Sequence, residues 1–391
     1  MCSVRLLESL ATTEALAGAF SDAALLDGML RFEAALARAQ AQAGLVPASV
    51  PDAIAAVPVD AFDAAAIAQA ARTSGTIAIA FVQTLVARVQ AIAPDAARFV
   101  HYGATSQDVT DTAMALCLHR ASDIVANDHQ RLAAALRALS DRHRDTLMLG
   151  RTLMQPAAPI TFGLKAANWF GGAMRAYASM DDAFAHARVV QFGGPAGTLA
   201  AFGSAGPALG ERIASELNLS WSGAPWHTER DRLATLVTSC AVYTGALAKI
   251  ARDVSLLMQF EVGEAAEPGG GSSSMPHKRN PSACALILAA ATRVPALTAA
   301  FLSAVPQEHE RGLGGWHAEG LTLAEVVQGT GSALAAAAGM MESLEVRPDR
   351  MRRNLEATRG MVPGADAADV SDQHLGAAEL FRRRLLDQHK G

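Results

Sequence analysis

Aromatic residues make up only 5% of this 391-residue chain, and charged residues only 18%. Hydrophobic residues reach 51%, much of it alanine. Alanine-rich, aromatic-poor sequence favours helices that pack closely. The charge content lies below the soluble average of about 25%. A surface so lean in charge is easiest to build if large faces are buried between subunits, so an oligomer is expected. Cysteine is rare too. Cys2, Cys117, Cys240 and Cys284 stand far apart and form no Cys-x-x-Cys pair. That excludes a disulfide or zinc framework and fits reduced packing residues in a cytoplasmic protein. Basic tails and runs of like charge are missing, and the net charge is −5. Neither nucleic acid nor a membrane surface is therefore expected as a partner. The N-terminus has no basic region followed by an apolar run. The most apolar stretches, such as 333–341, fall far below the roughly 20 residues of a membrane span. No His/Cys/carboxylate set has metal spacing. No Gly-x-Gly-x-x-Gly or Walker pattern opens a helix after a strand, so no metal or nucleotide cofactor is expected. Strand signals are nearly absent.

What is present is helical periodicity. Ser21 is a plausible N-cap for a segment with Leu25, Met29, Phe32 and Leu36 on one face. Similar runs cover roughly 61–92, 109–143, 159–186, 206–217, 230–260, 283–305 and 323–344. Several exceed about 25 residues, which suggests an extended bundle. The length is too great for a single compact core. The expected organisation is all-α with three helical domains: an N-terminal domain at 1–95, a central long-helix bundle at 96–345 and a short C-terminal domain at 346–391.

Polar constellations punctuate this pattern. His101-Tyr102-Gly103-Ala104-Thr105-Ser106-Gln107-Asp108 precedes a helix. Hydroxyls and free N–H groups at a helix start suit a carboxylate or phosphate, although the same residues also suit plain capping. Gly150-Arg151-Thr152-Leu153-Met154-Gln155 sets a cation, a hydroxyl and an amide ahead of another helix, or is a polar linker. Gly271-Ser272-Ser273-Ser274-Met275-Pro276-His277-Lys278-Arg279-Asn280-Pro281 is too flexible for a helix connector and reads as a mobile, anion-binding loop. Gln307-Glu308-His309-Glu310-Arg311 is followed by glycines and then Trp316-His317-Ala318-Glu319. The glycine-rich stretch 192–197 suits a surface turn as well as anything else.

The loop from Gly271 to Pro281 resembles the Gly-Ser-Ser-x-Met-Pro-x-Lys-x-Asn pattern of the fumarase/aspartase superfamily. Thr105-Ser106 and the 150–155 segment fall into place as the other two signature segments, in the family's order. The resemblance implies a central long-helix bundle, a homotetramer, no cofactor, and active sites that combine the three segments from three subunits. It implies Ser272 as general base, in a loop that closes over the substrate. Thr105, Ser106, Thr152, Gln155, Ser273, Lys278, Asn280 and Arg311 become candidates to hold the substrate. His101 and Arg230 are equally suited to structural hydrogen bonding.

Three stretches, Pro225 to Arg232, Pro306 to Arg311 and Trp316 to Glu319, look more like the 3-carboxy-cis,cis-muconate cycloisomerase branch. That branch implies lactonization of a tricarboxylate to 4-carboxymuconolactone, in the protocatechuate branch of the β-ketoadipate pathway. One departure agrees with it. Adenylosuccinate lyases carry a proton-donating histidine where this chain has Leu153. Expelling an amine needs a proton on nitrogen, whereas a carboxylate of pKa roughly 4 leaves unprotonated. The rivals are a fumarate-releasing lyase acting on adenylosuccinate or argininosuccinate, and a silent structural oligomer. Leu153 and Trp226 count against the first; intact Ser272, Lys278 and Asn280 count against the second. The Gly-Asn-Pro that the family often places between its first helices is replaced here by Ser74-Gly75-Thr76-Ile77.

Overall fold

The computed structural model describes residues 5–271, 275, 278–366, 370 and 372–388. The hydroxyl of Ser21 accepts the Ala24 N–H and starts α2 (Asp22–Gln42), which follows the short α1 (Glu14–Ala19). Met29, Phe32 and Leu36 share the buried face of α2. With α3 (Val50–Ala55), α4 (Ala64–Ser74) and α5 (Ile77–Ile92) it forms an N-terminal apolar cluster. The run at 61–92 reads as one helix in sequence but is two. Gly75, at φ 72°, ends α4 and the Thr76 hydroxyl caps α5.

The long helices are α6 (Ser106–Arg142), α7 (Phe162–Ala187), α9 (Asp231–Met258), α10 (Ser282–Ser303) and α11 (Gly315–Glu342). They share one large core built on Tyr243, Phe162, Phe170, Leu247 and Leu334. Between α7 and α9, α8 (Gly206–Leu217) folds back so that Leu209, Ile213 and Leu217 join the N-terminal cluster. At 37 residues, α6 is ~55 Å long, and its length defines two ends of the molecule. The near end holds Thr105, the start of α9 and the start of α11. The far end holds the last turn of α6, the last turn of α9 and the start of α10.

The far end contains what the sequence pattern did not foretell. An antiparallel hairpin joins α6 to α7, with β1 (Leu147–Thr152) paired to β2 (Gln155–Thr161). Pro156 and Pro159 interrupt the strand pattern of β2, and the connection lacks the usual Asn-Gly. Its two central residues are Leu153 and Met154, both left-handed at φ 49° and 66°. Such a turn normally asks for glycine or asparagine, because a Cβ in this region is crowded. A second small pair, β3 (Ala265–Ala266) with β4 (Glu345–Val346), ties the α9–α10 connection to the chain leaving α11. The tail forms α12 (Pro348–Glu356), α13 (Asp372–Leu375) and α14 (Ala378–Asp387). Leu355 and Ala365 pack there against Leu149 of the hairpin.

Two helices, α9 and α10, are long and apolar enough by length and composition to cross a membrane. The sequence reading, which looked for unbroken apolar stretches, passed over them. In the apolar window of α10 only 22% of residues are buried, so this helix leaves an apolar face uncovered in the single chain.

Glu264 fastens the far end. Its fully buried carboxylate accepts both guanidinium nitrogens of Arg151 at 2.6 and 3.0 Å and the Asn354 amide at 2.7 Å. One anion therefore joins the hairpin, the bundle and α12. Charge-assisted bonds of this kind contribute about 1.5–3 kcal/mol each. Glu264→Ala should cost about 2–3 kcal/mol in urea unfolding; no measurable loss would show that the three elements hold together without it.

Candidate active site

The near end is organised by the start of α6. Thr105 is the N-cap, and its own N–H donates to Asp108 Oδ2 at 3.1 Å, closing a capping box. Asp108 is completely buried and accepts far more. The Gly193 N–H donates at 3.0 Å, Gly194 N–H at 2.9 Å, the Gln191 amide at 3.3 Å and His227 Nε2 at 2.9 Å. A carboxylate only accepts, so His227 carries its proton on Nε2. The 192–197 stretch is accordingly no surface turn at its start: Phe192, Gly193 and Gly194 are buried. A Cβ at Gly193 would lie 2.7 Å from the His227 ring and Pro225, so nothing larger fits.

One turn further along α6, a second network closes. Arg230 has 2% side-chain exposure and donates to Asp111 Oδ2 at 2.7 Å and to Glu319 Oε2 at 2.6 and 2.9 Å. Burial alone would lower its pKa; Asp111 and Glu319 more than offset this and raise it, so Arg230 stays charged. Trp316 Nε1 donates to Asp111 Oδ1 at 2.9 Å, and Gln307 to Glu319 Oε1 at 2.5 Å. The Arg230 guanidinium also sits 4.7 Å over the Trp226 ring. The three branch-specific stretches of the sequence thus meet at one buried ion cluster.

Arg311 is held differently. Its Nε donates to Gln107 Oε1 at 2.8 Å and its NH1 to the Thr105 hydroxyl at 2.7 Å. Gln107 cannot turn away, because its amide nitrogen donates to the His227 carbonyl at 2.8 Å and to Asp111 at 3.2 Å. Among the described residues, neither partner of Arg311 is charged. A half-buried cation beside the first turn of a 37-residue helix has the chemistry to hold an anion. Ser106 opens that helix, and its carbonyl accepts the Thr110 hydroxyl at 2.9 Å.

His101 borders this end, with its backbone in the left-handed region at φ 59°. Glu33, fully buried, accepts its N–H at 3.1 Å and binds Nδ1 at 2.5 Å. Burial would lower the imidazole pKa, but Glu33 and then Asp108 overcome this and raise it.

The remaining candidates stand at the far end. Thr152 and Gln155 flank the exposed hairpin turn. Lys278 is exposed, and the Asn280 N–H closes the neck of its loop on the Gly270 carbonyl at 2.7 Å. Glu267 accepts the Ala283 and Cys284 N–H groups at 2.9 and 3.0 Å and caps α10 beside that neck. Ser272 and Ser273 lie outside the described residues. A single chain therefore brings Thr105, Ser106, His101 and Arg311 together, and keeps Thr152, Gln155, Lys278 and Asn280 a bundle length away. Sequence reading passed over Asp111 and quoted Gln107, Asp108, Gln307 and Glu319 within its polar stretches without giving them a role. The Thr105-x-x-Asp108 spacing was the one available signal for Asp108.

A family model described as lyase, Lyase_1, matches residues 9–296. The chain belongs to this family. Within it, a 3-carboxy-cis,cis-muconate cycloisomerase from Bradyrhizobium diazoefficiens is 47% identical, over 96% of this chain and 84% of the relative. A nitrosuccinate lyase from Streptomyces davaonensis is 42% identical, over 94% of this chain and 80% of the relative. The crystal structure of 3-carboxy-cis,cis-muconate lactonizing enzyme from Pseudomonas putida superposes with a TM-score of 0.88 at 43% identity, covering 98% of this chain and 86% of that one. A fumarate lyase from Mesorhizobium sp. BNC1 superposes at 0.85 with 29% identity, over 96% and 98%. The all-α fold is the fumarase/aspartase fold.

The two arginines should behave oppositely. Arg230→Met strands Asp111 and Glu319 and should cost about 3–5 kcal/mol of stability; Arg311→Met should leave the unfolding midpoint nearly unchanged. Equal losses would contradict the contrast. His101 supplies a pH signature. Its folded pKa is raised above 6.5, so the Glu33 pair stabilises below that pH and fades as pH rises through the folded value. The stability gap between the wild type and Glu33→Gln should shrink from pH 6 to alkaline pH; a constant gap would refute the linkage.

Proposed function

We propose that the chain is a cycloisomerase that lactonizes 3-carboxy-cis,cis-muconate. The observation that carries the reading is Arg311, a cation at a helix start whose hydrogen-bond partners among the described residues are neutral, ready for a substrate carboxylate. The substrate has three carboxylates, and one is the nucleophile. It adds to the conjugated diene, one C–O bond forms, and the neighbouring carbon becomes enolate-like beside another carboxylate. That carbon then takes a proton. Ser272 is assigned this proton transfer on its place in the loop motif, with Lys278 and Asn280 to stabilise its alkoxide. Thr105, Ser106, Thr152, Gln155 and Ser273 are assigned to the other carboxylates.

The assignments call for more than one copy of the chain, and we take the assembly to be a homotetramer. Segments separated by the length of α6 act together only if a site draws them from different copies. The apolar face of α10 and the exposed apolar hairpin turn support that assembly, since both leave hydrophobic surface in water in the lone chain. A cytoplasmic location fits the scattered cysteines, of which the three described, Cys117, Cys240 and Cys284, are free and buried.

The nitrosuccinate lyase relative favours one second reading. Nitrite, like carboxylate, is a weakly basic leaving group that departs without protonation, so Leu153 is compatible with both reactions. Adding 3-carboxy-cis,cis-muconate and following loss of diene absorbance separates them. Turnover is expected; no turnover, with nitrite released from nitrosuccinate, would replace the cycloisomerase reading. Arg311→Met should lower kcat/KM by about 2–4 kcal/mol, or 30- to 1,000-fold, and Ser272→Ala should fall at least as far in kcat. Undiminished rates would remove these residues from the mechanism.

A further inference from the structure

Below the anion site lies a cavity of about 360 Å³ that none of the steps above uses. That volume falls within the roughly 300–1,000 Å³ of small-molecule pockets. Its walls come from α6, α9, α11 and the Gly75–Ile77 turn, and include Met114, Leu118, Leu233, Leu323, Trp226 and Trp316. The charged groups in its lining, Asp111, Arg230 and Glu319, already satisfy one another within 2.6–2.9 Å. Two carboxylates face one guanidinium there, so the cluster carries one formal net negative charge. What remains for contact is apolar surface with the hydroxyls of Thr76 and Thr110 and the imidazole of His317.

The cavity adjoins the substrate end along one face of α6. Ser106, Thr110, Met114 and Leu118 recur every four residues on α6, so they form one stripe. Its first member stands at the anion site and the other three line the cavity. The cavity therefore begins one turn, ~5.4 Å, below Ser106. Trp316, whose indole is fixed by Asp111, is part of the same wall.

We propose that this cavity receives an uncharged apolar substituent on the carboxymuconate skeleton, so that the enzyme turns over alkyl- or aryl-substituted 3-carboxymuconates as well as the parent acid. The proposal rests on the cycloisomerase reading for its substrate. An anionic substituent is excluded, because it would be desolvated beside a cluster that already carries one net negative charge. The parent acid leaves the cavity unfilled.

Gly320 provides the test. It lines the cavity from within α11, and a Cβ there meets only Met114 Cε, at 3.9 Å. Leucine at this position projects into open cavity, and helix propensity favours it over glycine. The wild type and Gly320→Leu are assayed on 3-carboxy-cis,cis-muconate and on its methyl, isopropyl and phenyl derivatives at each free diene carbon. At one position the wild type should accept the substituted acids. Gly320→Leu should leave the parent's kcat/KM unchanged and lower that of the isopropyl or phenyl substrate by about 10- to 200-fold. A wild type that converts the parent but rejects every derivative overturns the proposal, as does a variant that affects parent and derivatives alike. If the parent itself is not converted, the cycloisomerase reading fails separately. The cavity is then read by toluene binding, followed through tryptophan fluorescence. Binding to the wild type and loss in Gly320→Leu supports an apolar-ligand pocket; equal binding, or none, overturns it.

Discussion

The Asp108 carboxylate is the point on which the near end depends. A buried anion is costly unless its lone pairs are filled, and here Thr105, Gly193, Gly194, Gln191 and His227 all donate to it. Those donors come from the helix start, from the chain beyond α7 and from the segment before α9. Satisfying one carboxylate therefore fixes three separate stretches against each other. The consequence is positional: α6 begins where the glycine loop and His227 allow, and Thr105 is held where Arg311 can reach it. Because the helix is a rigid rod, fixing its first turn also fixes where its last turn delivers the hairpin.

Two arginines a few ångströms of network apart show how the same side chain is given different tasks. Arg230 is buried and its charge is more than offset by Asp111 and Glu319. It is a structural tie with nothing left to offer. Arg311 is bonded to an amide oxygen and a hydroxyl, so its position is set while its charge is uncancelled. Gln107 is the joint between them: it bonds Asp111 on one side and Arg311 on the other. The ion cluster thus orients the binding arginine without neutralising it. This suits a tricarboxylate, whose repulsion between anions must be offset before a carboxylate approaches the diene.

The sequence made the helical class and the long bundle legible through period 3.6 spacing, and it paired Thr105-Ser106 with Arg311 as candidates before any contact between them was known. It hid what depends on backbone chemistry. The clasp of Gly193 and Gly194 on Asp108 uses N–H groups that every residue possesses, so it looked like a turn. The hairpin was hidden because Pro156 and Pro159 break the strand alternation and Leu153-Met154 lacks turn residues. The roles of Gln107, Asp111 and Glu319 were hidden for another reason. Each is an ordinary helix-surface residue by pattern, and only the fold turns them toward the one buried guanidinium.

The hairpin turn carries the last step. Leu153 is 97% exposed and Met154 70%, in a backbone region that disfavours both. An apolar turn that is strained and unpacked gains nothing for the lone chain. On the proposed assembly it is a surface for another copy, delivered by a helix long enough to reach beyond its own substrate end. An apolar tip in a catalytic site also has a chemical meaning. It brings no proton donor and displaces water, which suits a reaction whose moving group is a carboxylate. Water at that site would solvate the nucleophilic carboxylate and blunt its attack. On the proposed assembly, the exposed leucine and the uncancelled arginine are two halves of one device, separated by the length of α6 within each chain.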